Sequence, residues 1–226
     1  MLGRLAGKSY LAAGTVLDIR SLLYLKVQSP MKKLIFALCV LFCALSGNAQ
    51  ETPGRMAFKG VPIDGPLDAF VAKMEQKGLT RVGEQGSMAM LTGTVGIFPD
   101  CLISVLSTPA KDPVYGVVVM LPPSDSWPSL EGQYETLKKQ LTAKYGKPTT
   151  EGEVFRGVPD ASKLSPSQKL DYLTRDECKF VSLYERPEGR VMLTLQHDAN
   201  LGCFVRLLYS DRTSMEKAQA AASDDL

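Results

Sequence analysis

Residues 178–209, CKFVSLYERPEGRVMLTLQHDANLGCFVRLLY, read as three short strands joined by two turns. Arg186-Pro187-Glu188-Gly189 fits a four-residue turn, with proline setting φ at the second position and glycine closing it. A turn centred there sets Cys178 opposite His197, Phe180 opposite Leu195, Ser182 opposite Leu193 and Tyr184 opposite Val191. Residues 198–202 supply a second turn, which sets His197 opposite Cys203, Leu195 opposite Val205 and Leu193 opposite Leu207. Directly opposed side chains share a face, because they alternate with period two. One face therefore carries Phe180, Tyr184, Val191, Leu193, Leu195, Val205 and Leu207, with Cys178, His197 and Cys203 along its edge. The other carries Lys179, Glu185, Thr194, Gln196, Arg206 and Ser210, interrupted by Val181, Leu183, Met192, Phe204 and Leu208. The first is the core face, since a one-residue slip would bury the charged set instead.

Upstream, the pattern changes to helical spacing. Leu67, Phe70, Val71 and Met74 form one stripe, with Gly78 placed to end it. Leu130, Tyr134, Leu137, Leu141 and Tyr145 form a second, closed by Gly146 and Pro148. Between the helices lie strand-like runs at residues 81–82 and 88–94, and an expected hairpin of residues 101–107 with 114–121. Residues 149–166 read as an irregular connection with brief pairing near 153–156, Ser165-Pro166 starts a short helix, and the tail from Ser214 is weakly helical. Helices and strands in this order predict an α+β fold, an antiparallel sheet with two main helices packed on one face. A loose internal duplication is expected as well, pairing the cysteine strands CLISVL and CKFVSLY.

With 22% charged and 45% hydrophobic residues, the composition is that of a globular domain. Residues 1–49 hold six Lys/Arg and one Asp, so the 20 basic and 23 acidic side chains that remain balance near −3. Nothing in that distribution suggests a basic face for nucleic acid. Residues 31–49, MKKLIFALCVLFCALSGNA, have the form of a signal peptide: two lysines, a twelve-residue apolar run and a small-residue cleavage site. Twelve apolar residues fall short of the roughly 20 that span a bilayer. The expected organisation is a gene-start artefact or disordered leader over residues 1–30, a signal peptide over 31–49, and a single α+β domain over 50–226.

The signal segment, FKGVPIDG ahead of the first helix, the YGKP ending of the second and the strand CFVRLLY together give the chain a resemblance. It resembles an uncharacterised family of small secreted α+β proteins from anaerobic Gram-negative gut bacteria. The resemblance implies export and an α+β domain, and brings no activity with it.

Three constellations carry candidate chemistry. Cys39 and Cys43 leave with the signal, so three cysteines remain. Cys178 and Cys203 flank the middle strand, about 9–10 Å apart, beyond the roughly 7 Å a disulfide tolerates. In an oxidising compartment any bridge therefore uses Cys101 with Cys178 or Cys203. The row of Cys178, His197 and Cys203 has metal-ligand residue types, but lacks the close cysteine spacing of a zinc motif, and no metal or cofactor is expected. His197 is the chain's single histidine, so hydrolysis would need it, with Asp198 nearby and Cys178, Cys203 or a serine as nucleophile. No G-x-S-x-G, H-E-x-x-H or Gly-rich phosphate loop is present. Trp127, in PPSDSWPS, is the candidate for an exposed aromatic that stacks on a sugar or anchors a protein, against the competing role of a helix-entry staple. The expectation is an exported, non-enzymatic binding module with a protein or glycan partner, no nucleic acid and no stable membrane span. The alternative is a cell-envelope hydrolase using His197.

Overall fold

Ten strands and four helices follow one another in the computed structural model, which describes residues 54–223; the expected leader, signal peptide and cleavage site lie outside the described residues. β1 (Ala57–Phe58) and β2 (Val61–Pro62) make a small two-stranded sheet, and α1 (Leu67–Gln76) follows. Next come β3 (Thr80–Gln85), β4 (Met88–Val95), β5 (Phe98–Ser107), β6 (Val114–Met120) and α2 (Trp127–Tyr145). β7 (Thr150–Phe155), α3 (Pro166–Thr174), β8 (Cys178–Arg186), β9 (Gly189–Asp198), β10 (Gly202–Asp211) and α4 (Arg212–Ser223) complete the chain. β3 to β10 form one antiparallel sheet in the order β3-β4-β5-β6-β10-β9-β8-β7.

The expected α+β architecture is the observed one, and its local causes are those legible in the sequence. Leu67, Phe70, Val71 and Met74 are all within 1% of full burial. On α2, Leu130, Tyr134, Leu137 and Leu141 are buried, and Gly146 closes the helix at φ 84°. Ser165 caps α3 through a reciprocal capping box with Gln168. The 186–189 turn joins β8 to β9 in the anticipated register, with Ser182 opposite Leu193 and Tyr184 opposite Val191. At the second turn, the Asp198 carboxylate accepts the backbone N–H groups of Asn200 (2.8 Å) and Leu201 (3.1 Å).

Two connections are more ordered than anticipated. Residues 150–155 form an edge strand paired along β8 from Thr150–Leu183 to Phe155–Cys178. Its polar composition is that of a strand with one side open to water, which reads as a loop in isolation. Likewise α4 is a full helix, started by the wholly buried Asp211, whose carboxylate accepts the Ser214 N–H at 2.8 Å.

Topologically the molecule is a tandem repeat. α1 precedes β3-β4-β5-β6, α2 precedes β7-β8-β9-β10, and the halves join edge to edge through β6 and β10. The duplication is present, but the two cysteine strands do not correspond. In the repeat β5 matches β9 and β8 matches β4, so CLISVL and CKFVSLY occupy different places in their halves.

Three helices cover the core face. Tyr134 meets the Ser182 hydroxyl at 2.8 Å, and the Tyr184 hydroxyl donates to the Lys138 carbonyl at 3.1 Å, tying α2 down onto β8. Burial pushes the Tyr134 phenol up to about 12 against the opposing effect of its Ser182 bond, and burial raises Tyr184 and Tyr209 as well. A raised acid pKa means the folded state holds the proton more tightly. These groups contribute fully below the unfolded phenol value of about 10, and their contribution is lost as pH climbs toward 12. Urea unfolding midpoints should therefore fall steeply across that alkaline window, and Tyr134→Phe should flatten the fall; a midpoint independent of pH there would contradict the buried placement.

Candidate functional site: the open face of the sheet

The pairing register lines residues up in rows across all eight strands. Glu151, Ser182, Leu193, Leu207, Val119, Ile103, Leu91 and Arg81 form one row on the core face. Its six central residues are buried and only its ends are charged, so the helices sit over an apolar middle. The opposite face lacks that cover over its middle: α1, α2 and α3 pack on the core side, while α4 lies along β6 and the Gly189–Ser210 end, where its Met215 and Gln219 line a cavity with Glu185, Arg190 and Ser210 of that side.

Two rows make up the middle of that open face. One runs Gly152, Val181, Thr194, Arg206, Met120, Leu102, Thr92, Thr80; the other Thr150, Leu183, Met192, Leu208, Val118, Ser104, Met90, Gly83. Arg206 is the one charged side chain in both rows. A solvent-facing sheet normally alternates apolar inward with polar outward. Here the outward side of β4, β5 and β6 presents Met88, Met90, Leu102, Leu106, Val118 and Met120 instead. Flexible, polarisable methionines are the side chains that adaptable binding surfaces favour. At one end Leu102, Met120, Phe204, Pro122 and Pro123 enclose an apolar nook of about 90 Å³ beneath the exposed Leu201.

Arg206 stands at the middle of this surface, on the central strand β10 opposite Met120. Its guanidinium makes one hydrogen bond, to Gln196 Oε1 at 3.4 Å, and pairs with no carboxylate among the described residues. A half-buried guanidinium with most of its donors uncommitted, set between Thr194 and Met120, can donate to an incoming carboxylate.

Half of the cysteine–histidine row forms as the sequence places it, with His197 opposite Cys203. Its chemistry runs against nucleophilic use. Burial raises all three thiols, Cys178 to about 11, whereas a catalytic thiol needs its pKa lowered. No group of three metal-ligating side chains gathers anywhere among the described residues. The anticipated facing of Cys178 and Phe180 with His197 and Leu195 does not form, because the β8–β9 ladder ends at Val181–Thr194.

Tertiary placement decides between the two roles weighed for Trp127 and corrects the disulfide expectation. Trp127 is 2% exposed, not a surface contact: its ring lies 5.3 Å from that of Phe180 and 5.7 Å from that of Phe155, with Lys169 over its face at 5.5 Å. It is the helix-entry staple, and the stacking platform expected for a sugar is inside the protein. The disulfide through Cys101 is absent, and Cys101, Cys178 and Cys203 are all free. β5 lies two strands from β10 and four from β8, so Cys101 is at least about 10 Å from either partner at roughly 4.8 Å per step. The open apolar face itself was missed. Its sequence signals were the apolar Val181, Leu183, Met192, Phe204 and Leu208 on the outward side of the meander and the even-numbered Met and Leu positions of residues 88–120, and the latter mean nothing until it is known which side the helices take.

No helix among the described residues is long and apolar enough to cross a membrane. Alkylation with mass mapping should find Cys178 modified first in the native protein and Cys101 and Cys203 only on unfolding; a disulfide linking any two of these cysteines would contradict the strand order. Comparison with family models, with the curated proteins and with the solved structures returned no match.

Proposed function

We propose that this protein is an exported, non-enzymatic binding module that holds a folded protein partner against the open face of its sheet. The observation that carries this is the composition of that face, two rows spanning eight strands with an apolar middle and Arg206 as their single charge. An interface of this kind has a desolvated centre with an arginine or aromatic anchor and a polar rim. The partner's patch is accordingly apolar around one carboxylate, which meets Arg206. A second copy of this chain fits less well. Arg206 sits at the centre of the sheet, so a two-fold stacking of open faces would bring two unpaired guanidinium groups together.

Export rests on the signal-like residues 31–49 and on the resemblance those residues help carry. N-terminal sequencing of the protein from its native host should return a mature chain starting near Gln50; a start upstream of Met31 would rule this out. The hydrolase alternative draws on the Cys178, His197 and Cys203 row, whose raised thiol pKa values and burial support it less than the open face supports binding.

A photo-crosslinking residue at Met120 should capture one discrete protein in native cells, and the same residue at Lys139 on α2 should not. Charge-assisted hydrogen bonds contribute about 1.5–3 kcal/mol, so Arg206→Met should weaken the complex on the order of tenfold to a hundredfold while leaving the fold intact. His197→Ala should leave binding unchanged. Equal crosslinking from both faces, or indifference to Arg206, would remove the proposal.

A further inference from the structure

The sheet forks at one place. β8 stays paired with β7 as far as Phe155–Cys178, and β9 stays paired with β10 as far as Asp198–Gly202. Between them, the β8–β9 ladder ends at Val181–Thr194, leaving residues 178–180 and 195–197 without rungs to each other. A cleft of about 490 Å³ opens there, bounded by Phe180, Lys179 and Cys178 on one wall and by Leu195, Gln196 and His197 on the other. The two arms are held from different sides. Phe180 is fixed edge-on against Trp127 (5.3 Å) and Phe155 (5.7 Å), while the Cys203 carbonyl on β10 accepts the Ser124 N–H at 2.9 Å. At the root of the fork Thr194 Oγ1 is buried without a hydrogen-bond partner. An orphaned polar atom beside strand edges that lack their ladder is an unfilled hydrogen-bonding site.

We infer that this fork binds an extended peptide, which adds its backbone to the free rungs of β8 and β9. Recognition of this kind draws affinity from main-chain hydrogen bonds and selects side chains by alternation. The walls define that alternation. Phe180 and Leu195 belong to the core side of the sheet, Lys179 and Gln196 to the open side, and Asp176 also lines the cleft, so the fitting segment alternates apolar with polar residues. The three free rungs on each arm match a segment of three residues, about 10 Å long at roughly 3.3 Å per residue. The cleft borders the open-face interface, sharing Val181, Met192 and Thr194 with it, but neither Arg206 nor Met120 lines it.

Cys178, half-buried on the cleft wall, reports occupancy in the unmodified protein. The probe is a capped hexapeptide of alternating valine and glutamate, compared with the same peptide N-methylated at alternate residues to delete the donors of one edge. The unmethylated peptide should slow iodoacetamide alkylation of Cys178 on the order of tenfold and slow hydrogen exchange in residues 178–180 and 195–197, the effect expected of a few net-favourable backbone bonds. The N-methylated peptide should do neither. No slowing by the unmethylated peptide, equal slowing by both, or fork amides already as protected in the free protein as residues 182–184, would overturn the inference.

Discussion

The pairing of β6 with β10 is the constraint on which the rest of the molecule depends. Each half of the chain builds four strands, and each would otherwise end at an exposed edge. Met120–Arg206, Val119–Leu207, Val118–Leu208, Val117–Tyr209 and Gly116–Ser210 close those two edges on each other. The seam is tight at its last rung: a Cβ at Gly116 would lie 3.2 Å from the Tyr209 carbonyl oxygen, so glycine lets the strands approach there. On the core side Val117, Val119, Val205 and Leu207 are at most 2% exposed, so α1 and α2 share one continuous floor across the seam.

Closing one pair of edges leaves two, β3 and β7, and both are blunted by charge. Arg81 on β3 pairs with Asp68 and Glu84, and a register shift between Arg81 and Gly83 bends that strand. On β7, Glu151 and Glu153 gather around Lys138 of α2, which raises the lysine's pKa against the lowering effect of its burial. The first described residues are tied to the end of β10 by a buried ionic knot. Asp211, fully buried, takes the Arg55 guanidinium at 2.6 Å, the Met56 N–H at 2.9 Å and the Ser214 N–H at 2.8 Å, while Ser214 Oγ donates to the Ile63 carbonyl. A buried charge is tolerable when its lone pairs are filled in this way. Arg55 also holds Asp64, whose carboxyl stays below its usual range despite the opposing effect of burial.

These devices make the two faces of the sheet unequal, and the inequality is the functional content of the fold. Helices, aromatic packing and buried hydroxyls are spent on the core side. The middle of the open side keeps apolar side chains and the Arg206 guanidinium, with Lys179, Glu185 and Arg190 toward its ends. The fork between β8 and β9 has a related origin: the aromatic cluster of Trp127, Phe155 and Phe180 fixes one arm to the helical layer, while the other arm follows β10.

By itself the sequence determined everything that depends on local periodicity. Alternation at period two made residues 178–209 a meander with its core face identified, the two helical stripes named their buried residues, and the turn chemistry of Pro187, Gly189 and Asp198 set the register. Tertiary structure decided whatever depends on which strands become neighbours and which side the helices choose, because strand order is not a periodic property. That order put β6 between Cys101 and Cys203, and β6, β10 and β9 between Cys101 and Cys178, ruling out the anticipated bridges. Helix docking decided between the two roles weighed for Trp127, placing it in the core. It also turned the Met and Leu positions of β4 to β6, unremarkable as sequence, into the open face, because a period-two strand records only that two sides differ and not which one meets the helices.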